Sequence, residues 1–319
     1  MPPPAPSAIQ RIMEADLVRD RAVGTLLGLA VGDAVGTTLE FKPRDSYEPL
    51  TDMVGGGPFN LEPGQWTDDT SMALCLADSL IKRRKLDQTD LMGRFVWWWQ
   101  CGGNSPTGTC FDIGNTIRAA LSEFKNTGNP VAGSTHPRSA GNGSIMRLAP
   151  VAIFYHRSSQ DAQKAARVQS VTTHGAPAAV DASAFLARLL VEAINGAEKQ
   201  ALFATRNIDA VEEIRNIAAG SWRGKERDEI SSSGYVVHTL EAALWVMDRS
   251  TTFEEAILLA ANLGDDADTV ATVTGQLAGA VWGANAIPQH WRDRVAWGEL
   301  IVRKACKLLD GENPEKRDH

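Results

Sequence analysis

Residues 22–36 read Ala-Val-Gly-Thr-Leu-Leu-Gly-Leu-Ala-Val-Gly-Asp-Ala-Val-Gly, and this stretch decides the predicted fold. Its apolar pairs recur every four residues, which lays one apolar stripe along a helix. The same helical period is found in segments that begin at Met72 and Leu91 and in the ranges 178–194, 253–263, 270–282 and 291–309. Alternating runs of β-branched residues are almost missing, which argues against a sizeable sheet. The sequence therefore predicts an all-α fold.

Length and composition predict one compact domain. The chain has 319 residues, of which 43% are hydrophobic and 22% charged, and it is long enough to bury a substantial core. We find no repeat at a solenoid period and no low-complexity linker that would divide the chain. We expect a flexible N-terminal tail at residues 1–16, an all-α domain at 17–309 and a polar C-terminal tail at 310–319.

The charge balance and the absence of sorting signals narrow the class of protein. The formal net charge is −7, which disfavours nonspecific nucleic-acid binding because that role needs surplus cations. The first residues lack the features of a signal peptide, and Asp33 and several glycines interrupt the apolar run before it reaches the ~20 residues of a membrane span. None of the four cysteines forms a C-x-x-C pair. We expect a soluble, cytoplasmic protein with no nucleic-acid or membrane partner.

Two acidic clusters stand directly before apolar helical segments. The first is Thr67-Asp68-Asp69-Thr70 and the second is Asp265-Asp266-Ala267-Asp268-Thr269. Each cluster alone is explained by helix capping, because Thr and Asp are favoured at helix starts. If the two helix starts face each other, however, five carboxylates converge and cannot all stay ionised without cations. Carboxylate and hydroxyl oxygens suit Mg²⁺ or Mn²⁺, so the pair predicts a site for two such ions.

A glycine-rich motif, Gly141-Asn-Gly-Ser-Ile-Met-Arg147, offers a second kind of site. It lacks the Lys-Ser/Thr ending of a P-loop and the preceding strand of a dinucleotide fingerprint. A glycine-rich turn that enters a helix at Met146 would offer backbone N–H donors to a diphosphate. A plain turn explains the motif equally well, and Arg147 fits either a buried structural role or a phosphate contact.

Taken together, these motifs resemble the ADP-ribosylglycohydrolase family, which includes the dinitrogenase reductase-activating glycohydrolases. The resemblance covers residues 20–285, and its motifs occur in family order. They are the two acidic clusters, Gly28-Leu-Ala-Val-Gly-Asp-Ala-Val-Gly36 followed by Glu40, Asp112-Ile-Gly-Asn-Thr116, Gly141–Arg147, Thr173-His174 and Ser233-Gly-Tyr-Val236.

The resemblance implies an all-helical domain with a dinuclear Mg²⁺ or Mn²⁺ centre in a cleft. The implied metal ligands are Thr67, Asp68, Asp69, Asp266, Asp268 and Thr269. Glu40 matches a glutamate on a mobile loop over the metals, and we assign catalytic roles to Glu40 and Asp266. Many members have glycine where this chain has Asp265, so we expect Asp265 to act behind the ligands or as a cap.

The resemblance also implies a set of substrate-binding residues. We expect Asp112 to contact a guanidinium group at the distal part of the substrate, and His174 and Tyr235 to lie beside the nucleotide. Ala140 stands where some members carry an adenine-stacking aromatic residue. The full implied set is Asp112, Gly114, Asn142, Gly143, Ser144, Met146, His174 and Tyr235.

The expected activity is metal-dependent hydrolysis of the bond between ADP-ribose and a modified side chain. Such cleavage passes through an oxocarbenium-like state. An acidic pocket that includes Asp112 favours a guanidinium, so arginine is the preferred acceptor, and the expected partner is an ADP-ribosylated protein. The enzyme would reverse the action of an ADP-ribosyltransferase or toxin. The alternatives are hydrolysis of a serine, nucleic-acid or small-molecule linkage, a two-metal nucleotide phosphohydrolase, or an inactive ADP-ribose-binding scaffold.

Overall fold

The computed structural model describes residues 8–312, with side chains from Asp16 to Gly311. Residues 1–7 and 313–319, which the sequence analysis assigns to the two tails, lie outside the described residues. The first helix begins at Ala8 and therefore includes part of the predicted N-terminal segment. The division into tails and one domain stays a prediction.

The described residues form fourteen α-helices, joined by turns and short 3₁₀ helices. The α-helices are α1 Ala8–Gly36, α2 Asp68–Arg83, α3 Gln88–Cys101, α4 Asn115–Thr127, α5 Ala149–Phe154, α6 Ser159–Ser170, α7 Pro177–Ile194, α8 Lys199–Leu202, α9 Glu212–Ala218, α10 Val236–Arg249, α11 Phe253–Ala261, α12 Ala267–Trp282, α13 Gln289–Arg294 and α14 Gly298–Leu309. The 3₁₀ helices are Thr37–Leu39, Pro137–Ser139, Arg227–Glu229, Ala284–Ala286 and Asp310–Glu312.

The predicted all-α fold is confirmed. Within residues 8–312 there is no β-strand, and strand-like pairing is limited to three isolated bridges. The single helix predicted over 291–309 was wrong, because the chain breaks between α13 and α14. Trp297 there has a left-handed φ of 56°, and the Ala296 N–H donates to the Gly64 carbonyl at 2.8 Å. A contact with a distant loop therefore overrides the local helical period.

Helix α1 runs through the centre of the protein against α12, and glycines let the two backbones touch. A Cβ atom placed on Gly28 would lie 2.3 Å from the Gly275 carbonyl oxygen, and one on Gly24 would lie 2.5 Å from that of Gly279. Real Cβ atoms do not approach so closely, so these positions accept only glycine unless the helices separate. At the last contact, a Cβ on Gly36 would lie 2.5 Å from the Cα of Asp268. The close packing therefore brings the end of α1 to the start of α12.

Helix α1 also contains a long apolar run. Residues Asp16–Leu39 include a window of mean hydropathy 1.4, which is long and apolar enough to cross a membrane by those two criteria. The expectation that this stretch falls short of spanning length was wrong, because the helix continues on both sides of the apolar run. The whole window is buried inside the protein, as expected for a central core helix.

Candidate metal centre and active site

A cavity of about 280 Å³ opens where the end of α1, the start of α2 and the start of α12 meet. Twelve of the residues singled out from the sequence line it, namely Glu40, Asp68, Asp69, Asp112, Gly114, Asn142, Gly143, Met146, His174, Asp266, Asp268 and Thr269. Thr67, Ser144 and Tyr235 do not line it. The two acidic clusters thus meet at one cavity, as the facing of two helix starts requires.

The carboxylates in this cavity lie close enough to share cations. One carboxylate oxygen from each of Glu40, Asp112 and Asp268 lies within 4.8 Å of the other two. Three buried oxygens have no hydrogen-bond partner among the described residues, namely Glu40 Oε2, Asp69 Oδ2 and Asp268 Oδ1. A buried carboxylate oxygen without a partner is costly, so these atoms fit an oxygen-seeking cation.

Helix capping does not account for the two acidic clusters. Thr67 and Asp266 are the N-cap residues of α2 and α12, but neither side chain accepts a capping hydrogen bond from a backbone N–H of its own helix. Asp68 and Asp268 are already inside their helices, at the first and second positions. The carboxylates are therefore free to point into the cavity.

Asp33 takes the capping role at α2, which the sequence analysis did not foresee. It is fully buried near the end of α1 and accepts four hydrogen bonds from the start of α2. The Thr67 N–H and hydroxyl each donate to Oδ1 at 2.9 Å, and the Thr70 N–H and hydroxyl donate to Oδ2 at 3.0 and 2.6 Å. The Thr67 hydroxyl also lies 3.5 Å from Asp268 Oδ2. Asp33 thereby connects α1, α2 and α12 behind the cavity.

The segment that carries Glu40 is fixed by backbone pairing. The Phe41 N–H donates to the Asp265 carbonyl at 2.7 Å, and the Asp265 N–H donates to the Lys42 carbonyl at 2.8 Å. Phe41 and Asp265 both have left-handed backbones, with φ of 61° and 55°. The Arg44 guanidinium donates to the carbonyl oxygens of Leu263 and Ile230, and these bonds also hold the segment in place. Glu40 is only 3% exposed as a result.

Asp266 is held by the glycine-rich turn. The Asn142 Nδ2 donates to Asp266 Oδ2, and the Thr269 hydroxyl lies 3.4 Å from Asp266 Oδ1. The turn itself is paired with the start of α10, since the Asn142 N–H donates to the Gly234 carbonyl at 3.1 Å. Asn142 is thus a positioning contact for a carboxylate in addition to lining the cavity.

The glycine-rich turn does not enter a helix at Met146 as expected, because α5 begins three residues later, at Ala149. Ser144 lies behind the turn, where its hydroxyl accepts a hydrogen bond from Ser183 at 3.0 Å. Arg147 is fully buried. Any anion at this turn would therefore meet turn amides and not the end of a helix.

Asp112 lines the cavity, whereas Tyr235 does not. Asp112 has a left-handed φ of 58° and precedes α4, whose N-cap residue is Gly114, so the capping alternative for Asp112 was wrong. Its carboxylate joins those of Glu40 and Asp268. Tyr235 is outside the cavity lining, where its backbone bridges Gly141. The substrate roles assigned to Asp112 and Tyr235 stay predictions.

Burial and mutual repulsion raise the pKa values of the cavity carboxyls. Burial, aided by the charges of Asp112 and Asp266, raises the pKa of Glu40 to about 10. Burial also raises the pKa of Asp112 to about 7 and that of Asp266 to about 6. The pKa values of the remaining acidic groups are raised well above their usual range by burial and by neighbouring carboxylates, and these groups are Asp68, Asp69 and Asp268. Without cations, the cavity thus holds several carboxyls as neutral acids at pH 7.

The chain resembles known proteins over most of its length. The sequence model of the ADP-ribosylglycohydrolase family matches residues 14–317. The ADP-ribosylarginine hydrolase Tri1 of Pseudomonas putida is 51% identical over 295 residues, which cover 91% of this chain and 78% of that protein. The ADP-ribosyl-dinitrogen reductase glycohydrolase of Rhodospirillum rubrum is 33% identical over 287 residues, covering 89% and 92% of the two chains. A solved ADP-ribosylglycohydrolase-related protein complex has a TM-score of 0.84 and 41% identity, covering 93% of this chain and all of that one.

Proposed function

Because the chain belongs to the ADP-ribosylglycohydrolase family, we propose that it hydrolyses the N-glycosidic bond between ADP-ribose and the arginine side chains of modified proteins, with the help of divalent cations. It is a hydrolase of ADP-ribose glycosyl bonds, as its relatives are. The choice of arginine is supported by the relatives from Pseudomonas putida and Serratia proteamaculans, both named ADP-ribosylarginine hydrolases and 51% and 49% identical to this chain.

The observation that carries the metal dependence is the set of partnerless carboxylate oxygens in one cavity. Glu40 Oε2, Asp69 Oδ2 and Asp268 Oδ1 are buried without a hydrogen bond from the described residues. An all-oxygen donor set of this kind fits Mg²⁺ or Mn²⁺ better than zinc. We propose two such ions, held by Thr67, Asp68, Asp69, Asp266, Asp268 and Thr269, with Glu40 and Asp112 close enough to contribute. When bound, they supply positive charge that ionises these carboxyls and orients the ribose hydroxyls and the attacking water.

Residues of the chain itself stabilise the charge that develops, accept a proton and position the groups that react. Cleavage at the anomeric carbon develops positive charge on the ribose ring, which the carboxylates in this cavity stabilise. Glu40 or Asp266 accepts the proton of the attacking water, a contribution of roughly 10²–10⁴-fold. Asn142 holds Asp266 in place for this step through its hydrogen bond to Oδ2.

The acceptor side of the site favours a cation. Asp112 lies within 4.8 Å of Glu40 and Asp268, so a guanidinium beside it would meet several carboxylates. That environment keeps the guanidinium protonated, and a protonated guanidine is the better leaving group. A neutral acceptor such as serine would gain no such stabilisation from the carboxylates, so its cleavage would not be favoured in the same way.

The test is release of free ADP-ribose from chemically defined conjugates. The protein is incubated with an ADP-ribosylarginine peptide and with an ADP-ribosylserine peptide, in Mg²⁺, in Mn²⁺ and in EDTA. We expect release from the arginine peptide only and only with metal. Release of phosphate from nucleotides would instead favour the phosphohydrolase alternative, and binding of ADP-ribose with no release from any conjugate would favour the inactive scaffold.

Two neighbouring aspartates give a matched pair of variants. Asp266→Asn removes a cavity carboxylate, whereas Asp265→Asn removes an exposed one whose left-handed backbone asparagine tolerates. We expect Asp266→Asn to abolish release and Asp265→Asn to retain most of it. If both variants stay fully active, the assigned site is wrong.

We further propose that the enzyme reverses the action of an ADP-ribosyltransferase or toxin. This role rests on the arginine linkage, because a hydrolase that restores an unmodified arginine requires a transferase to have modified it. Co-expression with a transferase that is toxic to the host tests it. Rescue of growth by the wild-type protein but not by Asp266→Asn is expected, and equal rescue by both would contradict the proposal.

A further inference from the structure

A fully buried arginine stands behind the glycine-rich turn with no carboxylate within ion-pair distance among the described residues. The guanidinium of Arg147 donates from Nε to Gln169 Oε1 at 3.0 Å and from Nη2 to the Thr173 hydroxyl at 2.7 Å, and it lies 4.6 Å from the Phe95 ring centroid. Burial lowers its pKa to about 9, which leaves it protonated at neutral pH. A guanidinium has only donors to offer. The Thr173 oxygen must therefore accept from it.

The hydroxyl of Thr173 then has one hydrogen left to place. Its only other hydrogen-bond contact within the described part of the chain is His174 Nδ1, at 2.9 Å. If Nδ1 carried the ring proton, the hydroxyl would accept twice and its own hydrogen would be buried without an acceptor, which is costly. Thr173 is fully buried, so no water relieves that cost. Nδ1 is therefore the acceptor, and the ring proton of a neutral His174 lies on Nε2.

The Nε2 atom faces the two glycines of the turn. A Cβ on Gly143 would lie 2.5 Å from His174 Cε1 and 3.0 Å from Nε2, and one on Gly141 would lie 3.2 Å from Nε2. Both glycines and His174 line the cavity, and Nε2 has no hydrogen-bond partner among residues 8–312. Burial lowers the pKa of His174 to about 3, so the ring is neutral at working pH.

We propose that the relay from Arg147 through Thr173 fixes His174 as the Nε2–H tautomer, so that this N–H is a preset hydrogen-bond donor to an oxygen of the ADP-ribose moiety. The proposal rests on the proposed function for the identity of the ligand. Arg147 and Thr173 are positioning residues in this account, because they touch the histidine and not the substrate. A neutral N–H donor of fixed direction would help hold the nucleotide without placing a positive charge beside the carboxylates.

The tautomer is measured directly by ¹⁵N NMR of the full-length wild-type protein labelled at histidine, and His174→Asn serves only to identify the signal. We expect Nδ1 of His174 to have the chemical shift of an unprotonated acceptor and Nε2 that of a protonated nitrogen, at pH 7. The opposite pattern, or fast exchange between the two tautomers, would overturn the proposal.

A matched pair of variants tests the relay. Thr173→Val keeps the shape and removes the hydroxyl, whereas Thr173→Ser keeps the hydroxyl. We expect the valine variant to populate both tautomers of His174 and to bind ADP-ribose roughly tenfold more weakly than the wild type. The serine variant should keep the single tautomer and the wild-type affinity. An unchanged tautomer and unchanged affinity in Thr173→Val would refute the relay. The NMR result stands apart from catalysis, so failure to hydrolyse any conjugate would count against the proposed function alone.

Discussion

Asp33 shows how one buried side chain determines the geometry of a site that it does not touch. It lies among the apolar residues of α1 and accepts four hydrogen bonds from Thr67 and Thr70 at the start of α2. These bonds fix the direction in which Asp68 and Asp69 leave the helix. Since Thr67 also contacts Asp268, Asp33 influences the geometry of both acidic clusters.

Asp33→Asn is expected to weaken Mn²⁺ binding by roughly 10–100-fold, the usual cost of removing a group that orients metal ligands. Asparagine has one acceptor oxygen where aspartate has two, so the donors of Thr67 or Thr70 lose their partner. Titration calorimetry with Mn²⁺ measures the effect. Asp20→Asn is the control on the same helix, roughly 20 Å away, and equal affinities for the two variants would contradict this role.

Gly143→Ala is expected to weaken ADP-ribose binding by roughly tenfold or more, because the new Cβ would meet the His174 ring at 2.5 Å. Gly141→Ala is the milder companion, since its Cβ would lie 3.2 Å from the same ring. Fluorescence or calorimetric titration with ADP-ribose ranks the two. An alanine at Gly143 that binds like wild type would show that the ring has room to move.

At the residue scale, the sequence predicted most of the side chains that line the cavity, but not the contacts that hold them in place. The carboxylates of both acidic clusters and Glu40 could be found because their motifs have a recognisable spacing. The partners of Asp33 and Thr173 could not be predicted, although both residues lie in quoted motifs, because a buried polar residue inside an apolar helix, or beside a histidine, has no spacing that reveals its partner. One signal was available, since a lone aspartate in a run as apolar as 22–36 needs hydrogen bonds from elsewhere.

At the scale of elements, the contact between α1 and α12 brings the two clusters together. Gly24 and Gly28 on α1 face Gly279 and Gly275 on α12 at distances that leave no space for a side chain. The two helices run in opposite directions, so the end of α1 meets the start of α12. The site depends on this approach as much as on its ligands.

Gly28→Ala is expected to destabilise the fold by about 1–3 kcal/mol or more, because its Cβ would lie 2.3 Å from a backbone oxygen that cannot move alone. Gly93→Ala in α3 is the matched control. Its Cβ meets nothing within 4 Å, so the better helix propensity of alanine should stabilise by up to ~1 kcal/mol. Urea unfolding compares them, and a neutral Gly28→Ala would contradict the close packing.

The helical period predicted which segments form helices better than it predicted where those helices begin and end. The helices over 178–194 and 253–263 form nearly as predicted, at Pro177–Ile194 and Phe253–Ala261. The errors lie at Met146 and at Trp297, where a turn or a break depends on partners far away in the chain. A local pattern carries no information on such partners. The four-residue spacing of glycines within 22–36 was visible, but only the structure pairs it with α12.

At the scale of the whole molecule, the acidic cavity couples metal binding to stability. A carboxyl whose pKa is raised in the folded state stabilises the fold fully below its unfolded pKa, and this contribution is lost as pH rises through the folded value. The unfolded pKa of such carboxyls is about 4, so Asp112 loses its contribution between there and its folded pKa of about 7, whereas Glu40, with a folded pKa of about 10, continues to lose its contribution above neutrality. Histidines with lowered pKa values act in the opposite sense, but only near and below their unfolded pKa of about 6.5.

In EDTA, the melting temperature is therefore expected to fall between about pH 7 and pH 8.5. Saturating Mg²⁺ or Mn²⁺ should remove this slope and raise the melting temperature by roughly 5–10 °C. Differential scanning calorimetry across the pH series measures both effects. The double variant Asp68→Asn with Asp268→Asn is the control for the metal response, and a response that survives in it would contradict the assignment.

The proposed site requires that the starts of α2 and α12 hold divalent cations between them. Anomalous diffraction from crystals equilibrated with Mn²⁺ tests it in one measurement. We predict manganese peaks within bonding distance of carboxylate oxygens from both Asp69 and Asp268. Manganese bound elsewhere, or a cavity without anomalous density at saturating concentration, would contradict the account.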